Sequence, residues 1–225
     1  MDKVKPDYTL YGVELSLYTG KARSYLRYKG VDRQEKMPSL EDYNSWIVPK
    51  AGGMIIPVMM TADDEFVQDT TDIIDFVEAR EGTASVYPET PKQKLAALLL
   101  EFFGDEWLVI PAMHYLWNYL DEQRDFILSE FGRQLKPDAS LAEQVAIGGE
   151  FSKPFSGSLP VLGVNETTIP AIERSYLTML EQLNTHFKAQ PFLFGTRPSD
   201  WRLWSDGAAV CAFGERSLSW STYAA

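Results

Sequence analysis

Three groups of side chains have types and spacing suited to chemistry. Ser16, Tyr18 and Thr19 crowd one turn where a strand pattern gives way to a helical one, and Tyr11 ends that strand. A helix N-terminus concentrates unpaired amides, and capping it is a common role for serine. A second helix start carries Asp69 and then Thr70. An acid and a hydroxyl there cap the helix with or without a ligand, and the amides beside them favour an anion. The third group is Trp107, His114, Tyr115 and Trp117 on a long apolar-rich helix. Most aromatics at such spacing form core, and a lone histidine is more often a satisfied core or interface residue than an acid–base catalyst. Arg23 reads as a surface pairing residue, and Asp121-Glu122 with Arg124-Asp125 as a solvated helix face.

Composition removes other chemistries. Cys211 is the only cysteine, so neither a disulfide framework nor a CxxC pair exists, and with only His114 and His186 a zinc, iron–sulfur or histidine-rich metal site is not expected. A formal net charge of -11 repels nucleic-acid phosphates and anionic membrane surfaces. No apolar run approaches the roughly 20 residues of a spanning helix, and MDKVKPDYTLYG has no apolar segment for a secretory signal, so a cytoplasmic location is expected. With 225 residues and 45% hydrophobic content, one large or two small cores can form.

The elements that must position these residues follow from periodicity. Tyr8 to Glu14 alternates as a strand does, and Leu17 to Lys29 has helical spacing stopped by Gly30. Val31 to Met37 supplies a second strand, parallel to the first by the usual crossover. Met54 to Met60 and Phe66-Val67, split by a polar turn, read as a hairpin. A helix from Thr70, with Ile73, Ile74, Phe76 and Val77 on one side, ends near Gly82. Residues 1–82 thus read βαβ and then ββα; residues 83–90 form a linker. Pro91 then opens a helical half through Leu95, Leu98, Leu99, Phe102 and Phe103. Residues 136–164, rich in Gly, Pro and Ser, predict a loose connection or lid. A last helix starts near Thr168-Ile169-Pro170, with Thr168 as its N-cap.

In this order and spacing, Gly12 to Arg27 with Lys21-Ala22-Arg23, Ile56-Pro57-Val58, and Val67 to Ile74 resemble the glutathione S-transferase superfamily. Gly104-Asp105-Glu106-Trp107 with Pro111 to Tyr115 looks like a bacterial branch distantly similar to metaxin and failed-axon-connections proteins. The resemblance implies an α/β thioredoxin-like domain of βαβββα type followed by an all-α domain. It implies that Pro57 follows a cis peptide, so that Ile56 pairs with the cysteinyl backbone of glutathione, while Asp69 and Thr70 hold the γ-glutamyl end. The usual pair is Glu-Ser, and Asp-Thr is a shorter, conservative departure. Ser16 falls on the reactive position and would stabilise the thiolate, with Tyr18, Thr19 and Tyr11 as alternatives. Trp107, His114 and Tyr115 would border a cleft for a hydrophobic electrophile. Glutathione is then a co-substrate, no cofactor or metal is implied, and a homodimer is usual. A serine-type transferase and a non-catalytic interaction module both fit, and the lack of a cysteine here disfavours thiol-transfer chemistry.

The tail departs from that pattern. After Ser199 the resemblance implies a capping box and a central helix, but residues 200–225 carry Trp201, Trp204 and Trp220 without capping logic. Permitted codons for this stretch, read one base later, give a sequence of the family's character. A lost base near Ser199 is therefore expected, leaving an out-of-frame tail and an incomplete helical domain over residues 91–199.

Overall fold

A computed structural model describes residues 6–194. Strand β1 (Tyr8–Tyr11) buries Tyr8, Thr9 and Leu10. Helix α1 (Leu17–Lys29) follows and ends at Gly30, whose φ of 67° suits a residue without Cβ. Strand β2 (Arg33–Lys36) lies parallel to β1, Tyr8 opposite Arg33, so α1 is the predicted crossover.

Periodicity does not show what comes next, because the chain between β2 and β3 is helical. It forms α2 (Leu40–Asp42), a π-helical turn (Tyr43–Ile47) and α3 (Val48–Ala51). The start signal is a capping box: Asp42 N donates to Ser39 Oγ at 3.1 Å, and Ser39 N to Asp42 Oδ2 at 2.8 Å. Burial works against the Asp42 charge, but hydrogen bonds from Ser39 and Trp46 outweigh it and hold the carboxyl below its ordinary value.

Strands β3 (Val58–Thr61) and β4 (Phe66–Gln68) form the hairpin, and β3 also pairs antiparallel with β1, giving the order β2-β1-β3-β4. Helix α4 (Thr70–Arg80) covers the sheet beside α1. Leu10, Tyr25, Leu26, Met59, Ile73 and Ile74 make one buried core. Apolar surface removed from water there contributes roughly 25 cal/mol per Å².

The helical half opens with α5 (Pro91–Phe102), capped by Thr90. The long helix expected here is broken by a π-helical turn (Phe103–Trp107) before α6 (Val109–Asn118). Pro111 has no N–H for the Trp107 carbonyl that a continuous helix would offer it, and the break sits one turn earlier. Then come α7 (Leu120–Leu135), α8 (Leu141–Phe151), α9 (Lys153–Ser156) and α10 (Ile169–Ala189).

One expectation needs correction. Residues 136–164 are not a loose lid, since α8 and α9 occupy half of them. Ser140 and Glu143 close a second capping box there. Gly148 there is a contact point with α7: a Cβ on it would stand 1.8 Å from the Leu128 carbonyl oxygen. Thr168 does stand at the N-cap of α10, but its side chain makes no capping hydrogen bond. Its backbone is already helical (φ -93°, ψ -26°), and its hydroxyl donates to the Gly163 carbonyl at 2.6 Å. The amides at this helix start turn to Asn165, whose Oδ1 accepts from Thr167 N at 3.0 Å and whose backbone carbonyl accepts from Ile169 N at 2.9 Å. The expected out-of-frame stretch, 200–225, lies outside the described residues.

Candidate functional site

The start of α4 and the outer turns of α5 face each other across a cleft of about 500 Å³. Its first wall carries Ile55, Ile56, Pro57, Gln68, Asp69, Thr70 and Thr71; its second carries Leu98, Glu101, Phe102, Asp105 and Glu106, with Tyr18 between. The Ile56–Pro57 peptide is cis.

Asp69 shapes the α4 end of the cleft. Its Oδ1 accepts from Thr71 N at 2.9 Å, capping the helix. Its φ of 77° with ψ of 143° is a backbone conformation unusual for a residue with a Cβ. Thr70 is buried beneath it and Asp69 itself is exposed.

Behind the cleft lies an ion cluster that the resemblance did not supply. Lys21 is fully buried, its Nζ 2.8 Å from Glu101 Oε1 and 2.7 Å from Asp105 Oδ2. Thr71 donates to Glu101 Oε1 at 3.1 Å, so α1, α4 and α5 meet on one carboxylate. Burial raises the Asp105 carboxyl above its ordinary value despite Lys21, and Glu101 and Asp69 push the same way. The signal was in the sequence: Leu17, Lys21 and Tyr25 recur every fourth residue, putting a lysine on the apolar face of α1.

The hydroxyl candidates separate. Tyr18 lines the cleft, but its hydroxyl donates to the Asp105 carbonyl at 2.7 Å, and burial, aided by Asp105 and Glu106, pushes it up to about 12. Ser16 is the α1 N-cap, accepting from Thr19 N at 3.1 Å, and is absent from the cleft lining. Thr19 is fully buried, its methyl side tight against Gly12, where a Cβ would stand 2.2 Å from Thr19 Cγ2. Tyr11 meets Trp46 edge-on at 4.8 Å, and burial raises its phenol above the ordinary value. None of Thr19, Tyr11, Trp107, His114 and Tyr115 lines the cleft. His114 is buried, with Nε2 3.0 Å from Glu173 Oε1 and Nδ1 2.6 Å from Asn118 Nδ2, so it ties α6 to α10. Tyr115 packs on it and on Tyr176, while Trp107 is exposed. Arg23 pairs with Glu35 through two hydrogen bonds of 2.7 and 2.6 Å.

Residues 10–85 match the family model described as glutathione S-transferase, N-terminal domain. Over those residues the first domain is similar to the N-terminal domain of glutathione S-transferases. The likeness of fold continues into the helical half. A glutathione S-transferase from Rhodospirillum rubrum aligns with a TM-score of 0.62 at 15% identity, covering 96% of this chain and 82% of its own. One from Ceriporiopsis subvermispora, solved in complex with glutathione, gives 0.59 at 14% identity, covering 96% and 90%. One from Phanerochaete chrysosporium gives 0.58 at 16%, covering 98% and 91%. No curated protein matches. Among the described residues, no helix is long and apolar enough to cross a membrane, and no group of three or more His, Cys, Asp or Glu could hold a metal ion.

Proposed function

We propose that the cleft binds glutathione and presents its thiolate to a hydrophobic electrophile. The observation that carries this reading is the convergence of Pro57, Asp69 and the first turn of α4 on one open cleft. The amide-rich N-terminus of α4 and the helix dipole suit the γ-glutamyl carboxylate, and the exposed Asp69 carboxylate suits its ammonium. Ile56 offers its backbone to the cysteinyl part. The sulfur forms a bond to the electrophilic carbon, the leaving group departs with its electron pair, and the thiol proton passes to solvent. Ser16 is the residue proposed to stabilise the thiolate: its oxygen caps α1, and its own proton has no described partner. A cytoplasmic homodimer belongs to the same reading.

One observation favours a second reading, a non-catalytic interaction module. The hydroxyl that does line the cleft, Tyr18, already donates its proton to the Asp105 carbonyl, and Ser16 stands outside the lining. Calorimetric titration with glutathione, followed by the ultraviolet thiolate band of the bound peptide, decides. Saturable binding with an ionised thiol that Ser16→Ala loses supports the transferase; a folded protein that leaves glutathione unbound favours the module.

A further inference from the structure

The second wall of the cleft differs chemically from the first. It comes from α5 and the π-helical turn after it, and joins an apolar rim, Leu98 and Phe102, to carboxylates. Leu98 is 41% and Phe102 67% exposed, so this rim is open to a ligand. Among the described residues, no Lys, Arg or His lines the cleft. Lys21, which bonds to two of the lining residues, is fully enclosed and shared between Glu101 and Asp105, so one cation faces two carboxylates. Asp69 and Glu106 add two exposed carboxylates that Lys21 does not meet. Asp105 Oδ1 is buried and accepts no hydrogen bond within the described protein. Burial is what chiefly raises the Asp105 carboxyl, with Glu101 and Asp69 pushing the same way.

We infer that the second ligand of this cleft is an amphipathic cation, whose apolar body lies on Leu98 and Phe102 and whose ammonium or guanidinium group faces Glu106. This rests on the glutathione reading for the other wall, where Asp69 is engaged by the γ-glutamyl ammonium and Glu106 is left for the second ligand. An anionic or neutral electrophile would meet the same carboxylates without compensation, so the wall selects by charge as well as by apolar contact. At contact distance in a solvated cleft, one carboxylate changes the affinity of a monovalent cation by about fivefold.

The test uses the full chain saturated with glutathione and three probes sharing one ring: benzyltrimethylammonium, neutral benzyl alcohol and anionic benzylsulfonate. Calorimetry on the parent and on Glu106→Gln is run at low and high salt, with circular dichroism confirming that the exposed substitution leaves the fold intact. The expected result is that the cation binds tightest, loses about fivefold in Glu106→Gln, and weakens with salt while benzyl alcohol does not. Equal binding of cation and neutral probe, or a cation affinity unchanged in Glu106→Gln, overturns the inference. The two readings fail separately. If glutathione binds and the charge preference is absent, only this inference falls; if benzyltrimethylammonium binds by these criteria while glutathione does not, the glutathione reading falls and the cation site stands.

Discussion

Gly148 meets the backbone of Leu128 so closely that a Cβ on it would lie 1.8 Å from the Leu128 carbonyl oxygen. Helices α7 and α8 touch backbone to backbone at this point and at Gly132. The obstacle to a side chain is main chain, which cannot rotate aside. Gly148→Ala therefore drives the helices apart and should cost about 1–3 kcal/mol or more. Gly149 is the control: its Cβ would find only Leu128 Cδ1 at 4.0 Å. Gly149→Ala should stabilise by roughly 0.5–1 kcal/mol, the helix-interior difference between the two residues. Urea unfolding midpoints that move in the same direction for both variants would refute the contact.

Lys21 is the cation on which the two halves of the chain converge. Lys21→Met leaves Glu101 and Asp105 buried without it and should cost about 3–5 kcal/mol. The loss should shrink as pH falls and the two carboxylates protonate. Replacing Glu101 by Gln in the same background should restore part of it. Thermal unfolding of the single and double variants across pH measures both effects; a pH-independent loss would mean that packing, not charge, is responsible.

Glu78 sets an acid-side dependence of the opposite kind. Burial acts against its charge, yet Lys29 at 2.8 Å, Tyr25 and Ser85 hold its carboxyl below the ordinary value. A carboxyl with a lowered folded-state pKa contributes stability above its unfolded pKa, near 4.5, and loses that contribution as pH falls through the folded value. Asp105, raised by burial, has the reverse sign: its protonation favours the folded state. Glu78→Gln should lower stability at neutral pH and flatten the acid limb, as read from denaturant midpoints between neutral and acid pH. An acid limb as steep as the parent's would assign it to other carboxylates.

Ser16 and Tyr18 should separate by kinetics. Ser16→Ala loses the helix cap, about 1 kcal/mol of stability, and with it the ionisation of bound glutathione. Ser16→Thr keeps an oxygen at the cap and should retain most of both. Tyr18→Phe removes the bond to the Asp105 carbonyl, also about 1 kcal/mol, and should leave turnover within a few-fold. If Tyr18→Phe abolishes turnover while Ser16→Ala does not, the assignment is reversed.

Much of the first domain was legible because its elements are local. Alternation gave the strands, and Gly30 marked a stop that only a left-handed residue makes cheaply. The helical segment after β2 was missed because its signal is a four-residue capping box, Ser39 to Asp42, rather than a long periodic face. Gly148 and Gly149 misled for a different reason. Glycine in a sequence suggests a loop, and only the partner helix reveals that one of the two is a contact point and the other is not. At the cleft, Pro57, Asp69 and Thr70 were singled out by the family resemblance, since spacing alone reads as a strand-end proline and a helix cap. The opposing wall was not, because Glu101, Asp105 and Glu106 lie some thirty residues farther on, and no local pattern brings them across the cleft. His114 satisfies its polarity between Asn118 and Glu173, the use that a lone histidine most often has.

The cleft draws its walls from separate parts of the chain, and this divides the labour of recognition. Pro57, Asp69 and Thr70 belong to the sheet-bearing domain; Leu98, Phe102 and Glu106 belong to helices whose own packing does not depend on them, since all three are exposed. Substitutions on the helical side can therefore alter that wall with little penalty in foldedness, while Pro57, Asp69 and Thr70 on the opposite side stay as they are. Such an arrangement is evolvable: drift along one exposed helix face is enough to produce a new specificity.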